Sequence, residues 1–189
     1  MKTNWDLTVF YKDFDDPEFK DDLARLPKEL GAFTAAIAAP AEDEVEKLVS
    51  LVHQEEALSN LFERLSLMIG LTLSVDANNK AANAAMAPLM RAVMGSSLAS
   101  NAFSRYLASL ENLDAIIDAD DELKARAFAL REAAEDAKHQ LPEALEKPVL
   151  KMQLSGGEAF SQLRDKLDAT LLVDYDGKQI PLSAVRALA

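Results

Sequence analysis

The sequence predicts an all-α protein, a multi-helix bundle of long antiparallel helices with one small β-hairpin near its C-terminal end. Of its 189 residues, 49% are apolar and only 6% are aromatic. Such a chain is long and apolar enough for a packed core, and abundant alanine favours helices. Most apolar residues also recur at helical spacing, and alternation is confined to one short stretch. The sequence has no cysteine, which excludes disulfides, thiolate zinc sites and cysteine nucleophiles.

The charge of the chain argues against two classes of partner. Its formal net charge is -12, and an acidic surface repels both nucleic acid and anionic membranes. The N-terminal stretch MKTNWDLTVFYKDFDD turns acidic where a signal peptide needs an apolar core. The longest apolar stretch, LMIGLTLSV, is too short to span a bilayer. We therefore expect a soluble, cytoplasmic protein that binds neither nucleic acid nor membrane.

The first two helices have clear local signals. Asp16 can cap the first helix, Pro17 suits its first position, and Glu18 complements the helix dipole. Pro27 and Gly31 predict a bend or a break in its middle. Beyond Pro40, acidic residues begin a second, long helix. Its apolar stripe consists of Leu48, Val52, Leu58, Phe62, Leu65 and Ile69.

The third helix is predicted to run through the middle of the bundle. Asp76 is its expected N-cap, and residues 77–110 include no acidic residue and many small ones. A helix that is apolar or small on most faces is usually buried. Pro88 removes one backbone hydrogen bond and predicts a kink or a helix restart near Ala84.

The last third of the chain contains shorter elements. Residues 110–122 form a short helix or turn, and a helix follows from about Asp121 to Gln140. Its stripe consists of Leu123, Ala127, Leu130, Ala134 and Leu141. Pro142 and Pro148 mark a further helix that ends near Leu154. Ser155 and Glu158 have the spacing of a capping box and predict a new helix start.

The segment TLLVDYDGKQIPL predicts a β-hairpin, because two alternating runs flank an Asp-Gly turn. Three parts follow: a helical lobe (1–169), the hairpin (170–182) and the start of a helix (183–189). Ser183 resembles an N-cap, and an isolated helix that short is unstable. We therefore expect the 189 residues to be the N-terminal piece of a longer protein.

The sequence offers two histidines as possible metal ligands. Glu56 lies one turn after His53, and Glu135 lies one turn before His139. Neither histidine has the Glu-x-x-His spacing of dimetal bundles or the His-Glu-x-x-His spacing of zinc peptidases. SGGEAF lacks the spacing of a phosphate loop, and no Gly-x-Ser-x-Gly elbow is present. We expect surface histidines and no catalytic, cofactor-binding or metal-binding residue in this chain.

A methionine stripe is the best candidate for a contact surface. Met86, Met90 and Met94 share one face of the acid-free helix, and Met68 could join them. Such a stripe is more often core than binding surface, although methionine is also common at adaptable binding surfaces.

Three stretches together resemble one enzyme family. Trp5, Asp6 and Leu7 precede Phe10 and Tyr11; LSLMIGLTLSVDANNKAAN joins the second and third helices; and SGGEAFSQLRDKLDATLLVDYDGKQIPLSAVRALA closes the chain. In this order they are similar to the N-terminal lobe of oligoendopeptidase F and its relatives, zinc metallopeptidases related to thimet oligopeptidase. The resemblance extends over nearly the whole chain.

The resemblance implies a non-catalytic lobe. In that family a later domain carries His-Glu-x-x-His and a further Glu, and its zinc polarises the peptide carbonyl and activates water. Those residues are absent here, so this chain alone should neither bind zinc nor cleave peptides. It would form one wall of a channel for short, unfolded peptides. Its partners would be its own C-terminal catalytic domain and the oligopeptide.

Exposed apolar area on an isolated lobe predicts concentration-dependent homodimers. Two alternatives remain open. One is a stand-alone helical interaction module that docks a partner on its methionine face. The other is a metal-binding bundle that uses His53 and His139.

Overall fold

A computed structural model describes residues 6–181 and Val185. The fold is all-α with a small two-stranded antiparallel hairpin, as predicted. The helices are α1 (Pro17–Ala38), α2 (Glu44–Val75), α3 (Lys80–Ser109), α4 (Leu113–Ala119), α5 (Asp121–Ala125), α6 (Ala127–Asp136), α7 (Glu143–Gln153) and α8 (Ala159–Thr170); the strands are β1 (Leu172–Tyr175) and β2 (Lys178–Pro181). None of the described helices combines the length and the apolar character that a bilayer crossing requires.

Helix α1 begins as predicted and remains unbroken. Asp16 Oδ1 accepts a hydrogen bond from the backbone N–H of Glu18 at 3.0 Å, and Pro17 occupies the first helical position. The helix continues through Pro27, so the break that we considered there is absent. Proline removes a single helix bond, and the burial of Leu26 and Leu30 against the neighbouring helices compensates for it.

The joint between α2 and α3 differs from the prediction. Asp76 ends α2 and accepts a hydrogen bond from the N–H of Asn78 at 3.1 Å. The N-cap of α3 is Asn79, whose Oδ1 accepts from the N–H of Ala82 at 3.0 Å. Asp and Asn both suit the N-cap position. Here Asn79, which lies nearer to the helix than Asp76, is the cap. Helix α3 also continues through Pro88 without restarting near Ala84.

Helix α3 lies at the centre of the bundle, as expected, and packs against α1, α2, α6 and α7. Its small residues allow the close packing. A Cβ added at Gly95 would lie 3.3 Å from Leu30 Cδ1 of α1. The core cluster extends from Tyr11 to Leu130 and includes Phe33, Leu65 and Phe103.

The helix predicted over residues 121–140 is interrupted. Arg126, with φ -109° and ψ 10°, separates α5 from α6, and a 3-10 turn (Ala137–His139) follows. Leu123 and Leu130 are buried as predicted, whereas Leu141 lies past the helices and is 47% exposed. The stripe prediction was therefore wrong at Leu141.

The predicted new helix start at Ser155 does not occur. A π-helical turn (Leu154–Glu158) joins α7 to α8, so the chain is helical without interruption from Glu143 to Thr170. Ser155 Oγ donates to the carbonyl of Lys151 at 2.9 Å instead of capping. A serine within a continuing helix bonds back to the preceding turn. The two-glycine joint is thus a helical turn.

The hairpin has the predicted turn. Val173 pairs with Ile180, and Tyr175 pairs with Lys178. Asp176 and Gly177 have φ values of 53° and 73°, which a type I′ turn requires at both central positions. Of the helix expected from Ser183, only Val185 lies within the described residues. Trp5 of the quoted opening motif lies outside them.

Candidate functional site

A groove between α3 and α7 is the candidate functional site, and we call it the methionine groove. Its volume is about 220 Å³. Four residues of α3 form one wall, and α7 with the π-helical turn forms the other. They are Met90, Val93, Met94, Ser97, Leu150, Gln153, Leu154 and Glu158.

The groove contains part of the methionine stripe. Met90 and Met94 line it one helical turn apart, as their spacing predicted. Met86 instead packs against the core, and Met68 is buried in α2 with 5% of its surface exposed. Met68 therefore does not join the groove. Unbranched thioether side chains adapt to ligands of different shapes.

The walls of the methionine groove are mainly apolar and its edge is polar. Leu150 and Leu154 lie opposite the methionines, while Gln153 and Glu158 supply polar atoms. The Ser97 hydroxyl donates to the carbonyl of Val93 at 3.1 Å, so its proton is already used within α3. Such a lining suits apolar side chains of an extended ligand, with a few polar contacts for orientation.

A buried polar cluster fixes α7 against α3 next to this groove. Glu146 is 3% exposed. Its Oε1 accepts from Arg105 Nη1 at 2.6 Å and from Asn101 Nδ2 at 3.0 Å. Arg105 Nη1 also donates to Gln140 Oε1 at 3.0 Å. The other oxygen, Oε2 of Glu146, is buried and has no hydrogen-bond partner among the described residues.

This cluster was not predicted from the sequence, because α3 and α7 supply its members from distant parts of the chain. The available signal was Arg105 itself, a cation within the acid-free stretch 77–110. A partly buried arginine in such a helix is expected to pair with a carboxylate from another element. The sequence does not indicate which acidic residue supplies it.

A second cleft lies between α1, α2 and α3, with a volume of about 110 Å³. Leu26, Phe33 and Phe62 line it together with the carboxyl group of Glu55. Glu55 is exposed at the protein surface, but partial desolvation of its carboxyl beside the cleft raises its pKa, and the neighbouring charge of Glu56 raises it further. The small size of this cleft makes it a poorer ligand site than the methionine groove.

The two histidines each occupy an exposed position. His53 Nε2 lies 2.6 Å from Glu122 Oε2, and Glu56 bonds Arg126 instead of His53. His139 lies in the 3-10 turn, and Glu135 forms an ion pair with Lys138. Across residues 6–181 and Val185, no group of three or more His, Asp or Glu side chains could hold a metal ion.

A separate buried network attaches the segment before α1 to the bundle. The Tyr11 hydroxyl donates to Asp22 Oδ2 at 2.9 Å, and Arg25 donates to Asp22 Oδ1 at 2.8 Å. Arg64 of α2 bonds Glu18 at 2.8 Å and the carbonyl of Phe10 at 2.9 Å. Burial and the Asp22 carboxylate raise the pKa of Tyr11. These contacts include two residues of the opening motif, Phe10 and Tyr11, and they have a structural role.

Comparison with known families identifies one match. The family model for the N-terminal domain of peptidase family M3, described as oligopeptidase F, matches residues 108–172. This range begins at the end of α3 and reaches β1. It confirms the resemblance to oligoendopeptidase F over that part of the chain. No curated protein and no solved structure matches.

Proposed function

We propose that this chain is the non-catalytic N-terminal lobe of a cytoplasmic zinc metalloendopeptidase. The premise is the match of residues 108–172 to the oligopeptidase F N-terminal domain. The proposed enzyme hydrolyses short oligopeptides. The family match is the single observation that supports this proposal most strongly. One wall of the methionine groove, from Leu150 to Glu158, lies within the matched range.

The methionine groove would serve as part of the substrate channel wall. An extended peptide presents alternate side chains to two sides, and the apolar walls of the groove can accept those of one side. The rim atoms of Gln153 and Glu158 can bond the peptide backbone. The Glu146–Arg105 cluster would hold α7 at a fixed distance from α3, so that the groove is formed before peptide arrives.

The zinc of the proposed enzyme belongs to a domain outside this chain. A zinc ion held by that domain would supply Lewis acidity for the scissile carbonyl and for a water molecule. The described residues do not fit a zinc site, because they bring no ligand set together. We therefore assign no step of the hydrolysis to this chain, whose proposed role is to bind the peptide and the catalytic domain.

The proposal is tested with the full-length protein and with this chain alone, on a quenched fluorescent oligopeptide. We expect zinc-dependent cleavage by the full-length protein and none by the chain alone. Cleavage by the chain alone would contradict the proposal. A parent gene without a His-Glu-x-x-His catalytic domain would also contradict it and would favour the stand-alone interaction module.

A groove variant of the full-length enzyme tests the channel role. Met94→Gln replaces an apolar groove side chain with a polar one of similar length, so we expect KM for an apolar peptide to rise several-fold with kcat little changed. Phe128→Gln is the control, because Phe128 lies on α6, is 78% exposed and lies outside the groove. Equal kinetics for both variants would remove the groove from the substrate path.

A further inference from the structure

Helix α8 and the hairpin have almost no surface covered by the rest of the described chain. Every residue from Ala159 to Thr170 whose burial is described is exposed. Helix α8 is supported along the chain by α7, with which it forms one continuous helix, whereas a two-stranded hairpin is marginal in water by itself. A partner surface would stabilise both elements.

The uninterrupted helix of α7 and α8 presents one continuous line of large, exposed apolar side chains, which we call the apolar stripe. Their exposure ranges from 42% for Val149 to 73% for Phe160. At about 100° per residue, each half of the stripe falls on one face of its helix, and the π-helical turn between the halves offsets the two faces. The stripe consists of Leu145, Val149, Met152, Phe160, Leu163 and Leu167, and Leu141 and Leu171 extend it just beyond the helix ends.

The apolar stripe has the same spacing when read from either end. Gly156 is its midpoint. Met152 and Phe160 lie equally far from Gly156, and so do Val149 and Leu163. The same holds for the outer pairs, Leu145 with Leu167 and Leu141 with Leu171. Two copies of this helix in antiparallel orientation would therefore place an apolar side chain opposite an apolar side chain at every level.

The midpoint and the flanks of the stripe also suit self-pairing. A Cβ built at Gly156 meets no atom within 4 Å, so the backbone there is open to close approach. The flanks carry little net charge, because residues 143–170 have four cations and five acids, whereas the whole chain has a net charge of -12. Repulsion between the two copies is therefore small.

From this symmetry we propose that the apolar stripe binds a second copy of this chain, with the two α7–α8 helices antiparallel about a two-fold axis at Gly156. Such an interface is isologous and closes at the dimer. The methionine groove stays outside this interface, because it opens on another face of α7. The proposal does not depend on the proposed peptidase role.

Disulfide mapping tests the register directly, because the chain has no cysteine of its own. We expect Gly156→Cys to form a disulfide-linked dimer on mild oxidation. Differently tagged Val149→Cys and Leu163→Cys chains should cross-link to each other when mixed. Val149→Cys alone should not, because its two copies would lie about 21 Å apart along the axis. Efficient cross-linking of Val149→Cys with itself, without the mixed product, would overturn the antiparallel register.

Sedimentation equilibrium tests whether the two copies associate through the apolar stripe. Phe160→Glu should weaken dimerisation at least ten-fold, while Phe128→Glu, at a residue on α6 that is 78% exposed, should not. Circular dichroism verifies that both variants stay folded. If the unmodified chain is monomeric at all accessible concentrations, the proposal is overturned. A catalytic domain of the same protein then becomes the favoured occupant of the stripe.

Discussion

The carboxylate of Asp22 joins three parts of the chain at a single residue. It is 6% exposed, accepts from Tyr11 and Arg25, and lies 3.5 Å from Arg64. Buried carboxylates are tolerated only when such donors surround them. The segment from Phe10 to Tyr11 therefore depends on Asp22 for its position on the bundle.

Replacement of this carboxylate should be costly. Asp22→Ala leaves the buried Tyr11 hydroxyl without its acceptor and removes the partner of Arg25, and we expect the free energy of unfolding to fall by about 2 kcal/mol. Urea denaturation measures it. Asp21→Ala, at an exposed neighbour, should change it by less than about 0.5 kcal/mol. A similar loss in both variants would show that the network contributes little.

Glu55 should make stability depend on pH. Its pKa is raised above the ordinary value of 4.5 by partial desolvation and then by Glu56, so the folded state keeps a proton that the unfolded state has released. Stability is therefore fully present below the unfolded pKa and falls as pH rises through the folded pKa. We expect Glu55→Gln to raise Tm at pH 7 and to have little effect at about pH 3, where both states are protonated. An equal change in Tm at both pH values would show that the titration of Glu55 does not affect stability.

At the scale of elements, the attachment of α7 to α3 depends on the buried carboxylate of Glu146. We expect Glu146→Ala to lower the free energy of unfolding by about 2 kcal/mol, because Arg105 and Asn101 lose their acceptor. Hydrogen exchange should also become faster throughout α7. Glu143→Ala, at an exposed residue of the first turn of α7, is the control. Unchanged exchange in Glu146→Ala would indicate that the apolar contacts alone hold α7.

The sequence predicted elements well wherever the signal was local. The start of α1 is determined by three adjacent residues, Asp16, Pro17 and Glu18. The turn of the hairpin is determined by the pair Asp176–Gly177. Predictions failed where two local signals competed. Asn79, and not Asp76, is the N-cap of α3. The helix of α7 continues past Ser155 into α8.

The candidate site was only half predictable for the same physical reason. The spacing of Met90 and Met94 placed them on one face of α3, because helical periodicity is local. The opposite wall comes from Leu150 and Leu154, and Glu146 pairs with Arg105 across a long stretch of chain. Pairings of that kind depend on tertiary packing, which a single sequence does not specify.

At the scale of the whole molecule, the net charge of -12 opposes compaction. Repulsion among surface carboxylates extends over about a Debye length, roughly 30 Å at 0.01 M salt and 8 Å at 0.15 M. We expect Tm to rise by about 5 °C between these salt concentrations, because screening relieves self-repulsion. Thermal melts followed by circular dichroism measure it. A fall in Tm would mean that the surface ion pairs contribute more than the repulsion.

The position of the core along the chain has a consequence for biosynthesis. The last member of the core cluster is Leu130, so a ribosome has delivered every residue of the cluster before α7 is made. Domains synthesised first generally fold first. The bundle could therefore close while α8 and the hairpin are still in the exit tunnel, and their docking would be the final, separate step of assembly.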